Sequence, residues 1–344
     1  MEKDSMLSQS ASLIDACRKE LAKRIVGQRE MVDGLLTALI AGGHILLEGV
    51  PGLAKTLAVK SLAQITGLEF KRIQFTPDLL PADLTGTLIW DQSRGSFSVR
   101  RGPVFANVIL ADEINRAPAK MQSALLEAME ERQVTIGETS YALPDPFFVL
   151  ATENPIEHEG TYSLPEAELD RFLLKLLVTY PAPEEEIGIV SRSPALSSVF
   201  TPQPPLSPIL DREAITRLRA DADKIYMDEK ITEYIVSIVT ATRPVASDRT
   251  QADRTQAVRS HGQTAEGLYR YVSFGASPRA SIALYRCSRI LALFAGRDFV
   301  SPDDVKAAAY PALRHRIVLS YEAEADGLDA DTVITRILSH VPIP

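Results

Sequence analysis

Eight consecutive residues, 49–56, have the types and spacing of a loop that binds the phosphates of a nucleotide. They are Gly49, Val50, Pro51, Gly52, Leu53, Ala54, Lys55 and Thr56, and Leu57 follows directly. Glycines let backbone N–H groups turn toward phosphate oxygens, and a helix that begins near Lys55 points its positive dipole end at the same anion. In this pattern the lysine reaches the terminal phosphates, and the Thr56 hydroxyl binds Mg²⁺. The loop therefore predicts a site for ATP and Mg²⁺.

One position departs from the pattern G-x-x-x-x-G-K-[ST], because Ala54 stands where the second glycine is expected. A residue with a Cβ atom avoids positive φ angles, which glycine adopts freely. We therefore expect Ala54 to have a negative φ.

Two carboxylates, Asp112 and Glu113, follow the apolar run of residues 108–111, which is typical of a buried strand. Ligands of open α/β sheets bind at the carboxyl ends of such strands. We expect Asp112 to hold Mg²⁺ and Glu113 to polarise the water that attacks the nucleotide. A solvated strand end has the same sequence pattern, and it is the preceding phosphate loop that favours the catalytic interpretation.

Asn154 stands at the end of the next apolar run, residues 147–152, just before Pro155. Its amide can hydrogen-bond a phosphate or the attacking water without adding charge. An asparagine before a proline is equally typical of a turn. The neighbouring motifs favour the role at the nucleotide.

Two arginines are candidates for contacts with the terminal phosphate. Arg171 precedes the apolar run of residues 172–178 and could act as an arginine finger in a neighbouring subunit. A local pair with Asp170 or Glu168 is the simpler alternative. Arg279 follows Ser277 and Pro278 in a predicted first helical turn, where a cation opposes the helix dipole. This broken rule favours a phosphate contact over an ordinary surface arginine.

Predicted strands and helices alternate along the first half of the chain. The strands are residues 44–48, 70–74, 108–111, 147–152 and 172–178, and helices are expected at 7–24, 56–65 and 121–131, with a further helical run ending at 39. This order predicts a parallel sheet covered by helices. A proline-rich linker, 194–208, separates this domain, 1–193, from a second zone, 209–344, in which apolar stripes predict only helices. Residues 248–262 repeat a polar pentapeptide and are expected to form a mobile loop.

Composition bounds the function. The 344 residues include 37 Lys and Arg and 45 Asp and Glu, which gives a net charge of −8. An acidic balance weighs against a nucleic-acid partner. No apolar run is long enough to span a membrane, and the first residues lack the pattern of a signal peptide, so we expect a cytoplasmic protein. Cys17 and Cys287 lie in helical patterns and are expected to be small buried residues.

Taken together, these motifs occur in the order Walker A, Walker B, sensor 1, arginine finger and sensor 2, which resembles an AAA+ ATPase. Several sequence motifs resemble those of the MoxR family more closely: residues 25–28, 49–56, 112–118, 151–155 and 275–280. The resemblance covers nearly the whole chain, from about residue 20 to 343. The resemblance implies that alanine at the position of Ala54 is usual in this family.

The resemblance implies a P-loop α/β domain with a central five-stranded parallel sheet, an all-α lid, and a hexameric ring with nucleotide between subunits. It also implies a client protein and a partner with a von Willebrand factor A domain. Gly27 and Gln28 would lie near the adenine. Residues 77–105 resemble an insertion that faces the ring pore, with Arg94, Arg100 and Arg101 as client contacts or simply a solvated face. Residues 133–146 resemble the hairpin before sensor 1.

Three functions are consistent with these residues. The first is an ATP hydrolase that remodels a client protein, and the second is a nucleic-acid motor, which the acidic charge disfavours. The third is a scaffold that binds ATP to assemble and hydrolyses it negligibly. The intact Glu113 argues against the scaffold, since such a protein does not need a carboxylate that activates water.

Overall fold

The computed structural model of the chain describes residues 2–50, 52–93, 95–155, 161–191, 205–244 and 270–344. Its strands are β1 (Ile45–Glu48), β2 (Phe70–Gln74), β3 (Gly86–Asp91), β4 (Ser96–Arg101), β5 (Val108–Asp112), β6 (Gln133–Ile136), β7 (Thr139–Ala142), β8 (Phe148–Glu153), β9 (Leu174–Leu177), β10 (Val272–Phe274) and β11 (Val318–Leu319). Its helices are α1 (Glu2–Leu21), α2 (Arg29–Ala41), α3 (Lys55–Thr66), α4 (Pro81–Thr85), α5 (Ala119–Glu131), α6 (Glu166–Leu169), α7 (Pro183–Ser191), α8 (Arg212–Asp223), α9 (Glu229–Ala241), α10 (Pro278–Phe294), α11 (Pro302–Leu313), α12 (Tyr321–Ala325) and α13 (Ala330–His340).

The predicted parallel sheet is confirmed. Five strands lie in the order β2-β5-β8-β1-β9, and all five fall within two residues of their predicted ends. Every residue of β5 is buried, as are the first five of β8, because helices cover both faces of such a sheet. The register pairs Gln74 with Asp112 and Ala111 with Ala151. The carboxyl ends of β2, β5 and β8 therefore meet at one edge, next to the end of β1.

The chain divides into two compact units that interleave along the sequence. One comprises Ser12–Leu164 and Leu176–Leu218, and the other comprises Met1–Ala11, Pro165–Lys175 and Arg219–Pro344. These boundaries differ from the expected division into 1–193, 194–208 and 209–344. The physical reason is that Asp170 and Phe172 bond to Arg316 and His315 of the C-terminal part. Most of the expected linker, 194–204, lies outside the described residues.

The C-terminal unit is built mainly from helices, as expected. Helices α9, α10, α11 and α13 each bury an apolar stripe. Helix α10 ends before Gly296, whose φ of +67° turns the chain so that the N–H of Arg297 donates to the Ala292 carbonyl. The pairing of β10 with β11, which is antiparallel, departs from the helical expectation. Helix α13 lies beyond the helical runs that the apolar pattern predicts in this part of the chain, 210–225, 231–242, 278–295 and 302–309, although it also buries a regular apolar stripe.

Two antiparallel hairpins occupy the segments that resemble family insertions. Strands β3 and β4 pair from Gly86 with Arg101 to Asp91 with Ser96, and β6 pairs with β7. The first hairpin leaves large apolar side chains exposed, among them Trp90 and Phe97.

Several expectations fall outside the described residues: the loop 248–262, the side chain of Arg94 and the position of Pro51. Both cysteines are buried, as expected, and burial raises the pKa of each thiol to about 12. Among the described helices, none is both long and apolar enough to span a bilayer.

Candidate functional site

The predicted phosphate loop joins β1 to α3, and two of its positions require glycine for different physical reasons. A Cβ atom on Gly49 would lie 2.6 Å from the carbonyl oxygen of Val178, so a larger residue would displace the chain beside β9. Gly52 has a φ of +88°, which favours glycine whatever the space around it. The loop therefore depends on close approach at one glycine and on backbone conformation at the other.

The expectation for Ala54 was wrong. Its φ is +57° and its ψ is 15°, so it adopts the left-handed conformation as the residue that precedes α3. An L-residue in this region costs roughly 1–2 kcal/mol relative to the right-handed form. Local preference is overridden because the loop must turn here for Lys55 to begin the helix. The alanine thus takes the conformation of the glycine that it replaces.

Lys55 reaches back across its own loop. Its ammonium donates to the carbonyl oxygen of Gly49, and to that of Glu153 at 3.2 Å. Burial lowers the pKa of Lys55, and the carboxylates of Asp112 and Glu113 oppose that shift. The lysine charge is therefore within electrostatic reach of the two acids that the sequence singles out.

Asp112 is 9% exposed, and both of its carboxylate oxygens accept hydrogen bonds. Oδ1 accepts from the Thr152 hydroxyl at 2.7 Å. Oδ2 accepts from Nε and Nη2 of Arg72, at 2.9 and 2.6 Å. The carboxylate is thus held from two neighbouring strands, β8 and β2.

Glu113 directly follows β5 in a left-handed conformation, with a φ of +56°. Its backbone N–H donates to the Thr152 hydroxyl at 2.8 Å. Its Oε2 accepts from Gln74 Nε2 and pairs with Arg116 Nε, each at 2.9 Å. This backbone turn separates the directions of two consecutive acids, so that each carboxylate group has its own side-chain partners, while Thr152 contacts both residues.

Arg72, Gln74 and Thr152 are functional candidates that sequence reasoning missed. Arg72 and Gln74 lie two residues apart on β2, and alternate residues of a strand share a face. That alternation was a readable signal, but only the order of strands places β2 beside β5. Thr152 sits in an apolar strand, where a threonine is unremarkable in sequence.

Other residues that the sequence predicts at the site lie in the unit that contains the sheet. Thr56 lies half-buried in the first turn of α3, and Leu57 beside it is 37% exposed. Asn154 follows β8 and is 5% exposed. Gly27 and Gln28 both have positive φ, and Gln28 donates to the Thr179 carbonyl at 2.9 Å. Their contacts with a nucleotide stay predictions.

Arg171 and Arg279 belong to the C-terminal unit, where Asp170 is the central group. Asp170 Oδ1 accepts from Arg316 Nε at 2.7 Å, and Oδ2 accepts from the Ser277 hydroxyl at 2.8 Å. Arg279 Nη1 lies 3.9 Å from Oδ2. Asp170 thus supplies, from elsewhere in the chain, the acid that the first turn of α10 lacks. The cap is electrostatically complete, so its composition alone no longer argues for a phosphate contact by Arg279.

The residues at the edge of the sheet fit a magnesium ion. A buried carboxylate and a hydroxyl, Asp112 and Thr56, are the hard oxygen donors that Mg²⁺ prefers. The described residues contain no group of three or more His, Cys, Asp or Glu side chains that could hold a metal.

Comparison with known proteins places this site in a family. The model of the ATPase family associated with various cellular activities (AAA) matches residues 44–174, and an AAA lid domain matches residues 269–337. Chaperone MoxR1 of Mycobacterium tuberculosis is 47% identical over 325 residues, which cover 94% of this chain and 81% of that protein. The uncharacterized protein YeaC of Bacillus subtilis is 42% identical, with 96% and 95% covered.

A crystal structure of a Cytophaga hutchinsonii protein assigned as an ATPase superposes with a TM-score of 0.86. It is 46% identical in sequence and covers 99% of this chain and 97% of its own. The fold, the two matched domains and these identities agree, and the chain belongs to the MoxR family of AAA+ ATPases.

Proposed function

We propose that this protein hydrolyses ATP at the edge of the parallel sheet and uses the energy to remodel a client protein. The observation that carries the proposal is the convergence of Lys55, Asp112 and Glu113 at one edge of the sheet. Lys55 donates to the carbonyl of Glu153, and the hydroxyl of the preceding Thr152 donates to Asp112 and accepts the Glu113 N–H. Membership in an ATPase family supports the reaction, and the chaperone name of the Mycobacterium tuberculosis relative supports a protein client.

In this proposal the loop amides and Lys55 bind the β- and γ-phosphates, while Thr56 and Asp112 hold the magnesium ion. That ion neutralises phosphate charge. Glu113 takes a proton from water as the water oxygen attacks the γ-phosphorus. The bond between that phosphorus and the β–γ bridging oxygen breaks, and ADP and phosphate leave. Asn154 positions the water or contacts the γ-phosphate, and Gly27 and Gln28 contact the adenine.

We further propose that the site is completed by a neighbouring subunit in a ring, for which a hexamer is the expected form. Arg171 of one subunit would stabilise the transition state in the next, and Arg279 would link the state of the nucleotide to the lid. The exposed β3–β4 hairpin would contact the client, and a protein with a von Willebrand factor A domain would be a second partner.

The test of hydrolysis is the substitution Glu113→Gln. We expect turnover to fall at least about 100-fold, which is the typical contribution of a general base, while ATP binding persists. Glu127→Gln, an exposed change on α5, is the matched control and should leave both unchanged. Slow turnover that is the same in the wild type and in Glu113→Gln would contradict hydrolysis and would favour an ATP-gated scaffold.

The test of a shared site is a mixture of two inactive variants. Glu113→Gln subunits keep Arg171, and Arg171→Ala subunits keep their own Glu113. If Arg171 acts on a neighbour, mixed rings restore part of the turnover that each variant lacks alone. If turnover in the mixture equals the average of the separate samples, Arg171 does not act between subunits.

A further inference from the structure

The carboxylate of Asp112 is paired with a positively charged side chain of the same protein, Arg72. Arg72 directs two N–H groups at Oδ2, at 2.9 and 2.6 Å, from the neighbouring strand. The other oxygen accepts the Thr152 hydroxyl at 2.7 Å. The two donors differ in exposure: Thr152 is 1% exposed, whereas the Arg72 side chain is 46% exposed. The hydroxyl thus fixes the carboxylate, and the guanidinium is a partner that can move away into water.

Arg72 also connects the two acids to each other. Its Nη2 donates to Gln74 Oε1 at 2.7 Å, and Gln74 Nε2 in turn donates to Glu113 Oε2 at 2.9 Å. A guanidinium on Asp112 therefore belongs to a continuous hydrogen-bonded chain along β2 that ends on Glu113. Displacement of the guanidinium would release one end of this chain.

A carboxylate oxygen that accepts two N–H donors has its lone pairs directed at those donors, so it cannot ligate a metal ion at the same time. The positive charge of a guanidinium also repels a divalent cation that approaches the same carboxylate. We propose that Arg72 competes with Mg²⁺ for Asp112, and thereby sets the Mg²⁺ concentration at which the nucleotide site assembles. This role rests on the proposed function, since it regulates the same site.

The experiment uses the full chain with ADP at a fixed saturating concentration, and it titrates MgCl₂ at constant ionic strength. The thermal unfolding midpoint is the readout, so that no turnover is needed. Arg72→Gln removes the charge, and Arg72→Lys keeps it without the forked donor geometry. Lys71→Gln is the matched control: it removes the same charge one residue away, from a side chain that pairs with Glu69 on the opposite face of the strand.

We expect the Mg²⁺ concentration of half-maximal effect to fall about fivefold in Arg72→Gln, the ratio that corresponds to a half-exposed ion pair worth about 1 kcal/mol. Arg72→Lys should fall between that variant and the wild type, and Lys71→Gln should match the wild type. If the Mg²⁺ concentration of half-maximal effect in Arg72→Gln equals or exceeds that of the wild type, the competition is overturned and the proposed function stays intact. A wild-type protein that shows no response to ADP at any Mg²⁺ concentration overturns both.

Discussion

The same arrangement of groups occurs twice in this molecule, once around Asp112 and once around Asp170. In each, an arginine bonds to one carboxylate oxygen and a hydroxyl donates to the other: Arg72 and Thr152 at Asp112, Arg316 and Ser277 at Asp170. Each hydroxyl also accepts a backbone N–H, from Glu113 in the first case and from Arg279 in the second.

The two arginines differ in what surrounds them. The Arg316 side chain is 3% exposed, and its remaining N–H groups donate to the backbone carbonyls of residues 170, 172, 173 and 312. The Arg72 side chain is 46% exposed and, besides Asp112, donates to Gln74 Oε1. A buried arginine whose donors are all taken up by a carboxylate and backbone carbonyls is part of the framework, whereas a half-exposed one can exchange its partner for water. The difference indicates that the Arg316 contact is a fixed part of the fold, whereas the Arg72 contact can exchange, as the proposed competition at Asp112 requires.

Backbone strain follows the same division. Among the described residues, those other than glycine with positive φ are Gln28, Ala54, Glu113 and Arg132, and all four belong to the unit that contains the sheet. Asp170 and Ser277 have ordinary negative φ angles. Three of the four strained residues are candidate site residues, which is where strained backbone tends to occur in proteins.

The largest expected effect separates the two carboxylates. Asp170→Asn leaves the Arg316 guanidinium buried without its counter-charge, so we expect it to lower the free energy of unfolding by about 3–5 kcal/mol. Asp112→Asn leaves Arg72 half-exposed and able to turn to water, so its cost should stay within about 1 kcal/mol. Urea unfolding of both variants measures the difference. Equal losses would mean that the exposure of the arginine does not decide the role of its cluster.

Acid should weaken the Asp170 cluster through His315. Its Nε2 donates to the Phe172 carbonyl at 2.9 Å, and burial, aided by the charge of Arg316, lowers the pKa of His315 well below its ordinary value. As the pH falls below about 6.5, the unfolded chain binds a proton at this histidine and the folded chain does not. The free energy of unfolding therefore decreases toward low pH, by about 1.4 kcal/mol per pH unit for this one group.

His315→Gln keeps an N–H donor but cannot titrate, so the slope of unfolding free energy between pH 6.5 and 5 should become smaller by about one proton. His340→Gln, at the exposed end of α13, is the control and should leave the slope as it is. A slope that is unchanged in His315→Gln would show that this imidazole is protonated in the folded protein.

These effects mark what the sequence could and could not predict. The phosphate loop and the acids of β5 were readable because each is a contiguous run with its own periodicity. The Asp170 cluster was not, since Arg316 lies 146 residues from Asp170 and nothing local links the two. Sequence reasoning instead offered Asp170 as a partner for its neighbour Arg171. A pairing between distant residues depends on the packing of whole elements, which a single sequence does not reveal.

Only part of the Asp112 cluster could be predicted from the sequence. Asp112 and Glu113 were identified, but Arg72 and Thr152 require the strand order β2-β5-β8, which no spacing encodes. The wrong expectation for Ala54 has a related cause. The rule that non-glycine residues avoid positive φ describes an isolated residue, whereas the loop and α3 together determine this one.

A change of intermediate size tests the hydroxyl of the Asp112 cluster. Thr152→Val leaves the partly buried Glu113 N–H and one oxygen of Asp112 without their partner, so we expect a loss of about 1–3 kcal/mol in unfolding free energy. Turnover should fall as well, because Thr152 holds both acids. Thr152→Ser, which keeps the hydroxyl, should restore turnover more fully than stability. If turnover is lost equally in both variants, the methyl group and not the hydroxyl positions the acids.

The smallest expected effect concerns the strain itself, and the same substitution should have opposite signs in the two units. Ala54→Gly removes the roughly 1–2 kcal/mol cost of a left-handed alanine and adds the roughly 0.5–1 kcal/mol entropic cost of glycine. The free energy of unfolding of the variant should therefore be higher by up to about 1.5 kcal/mol. Ala307→Gly, at an exposed position inside α11, has no such strain to relieve and should cost about 1 kcal/mol.

Chemical unfolding of the two variants side by side measures the difference. A loss of similar size at both positions would mean that the phosphate loop holds Ala54 without strain, and that the strained backbone of the sheet unit is confined to the other three residues.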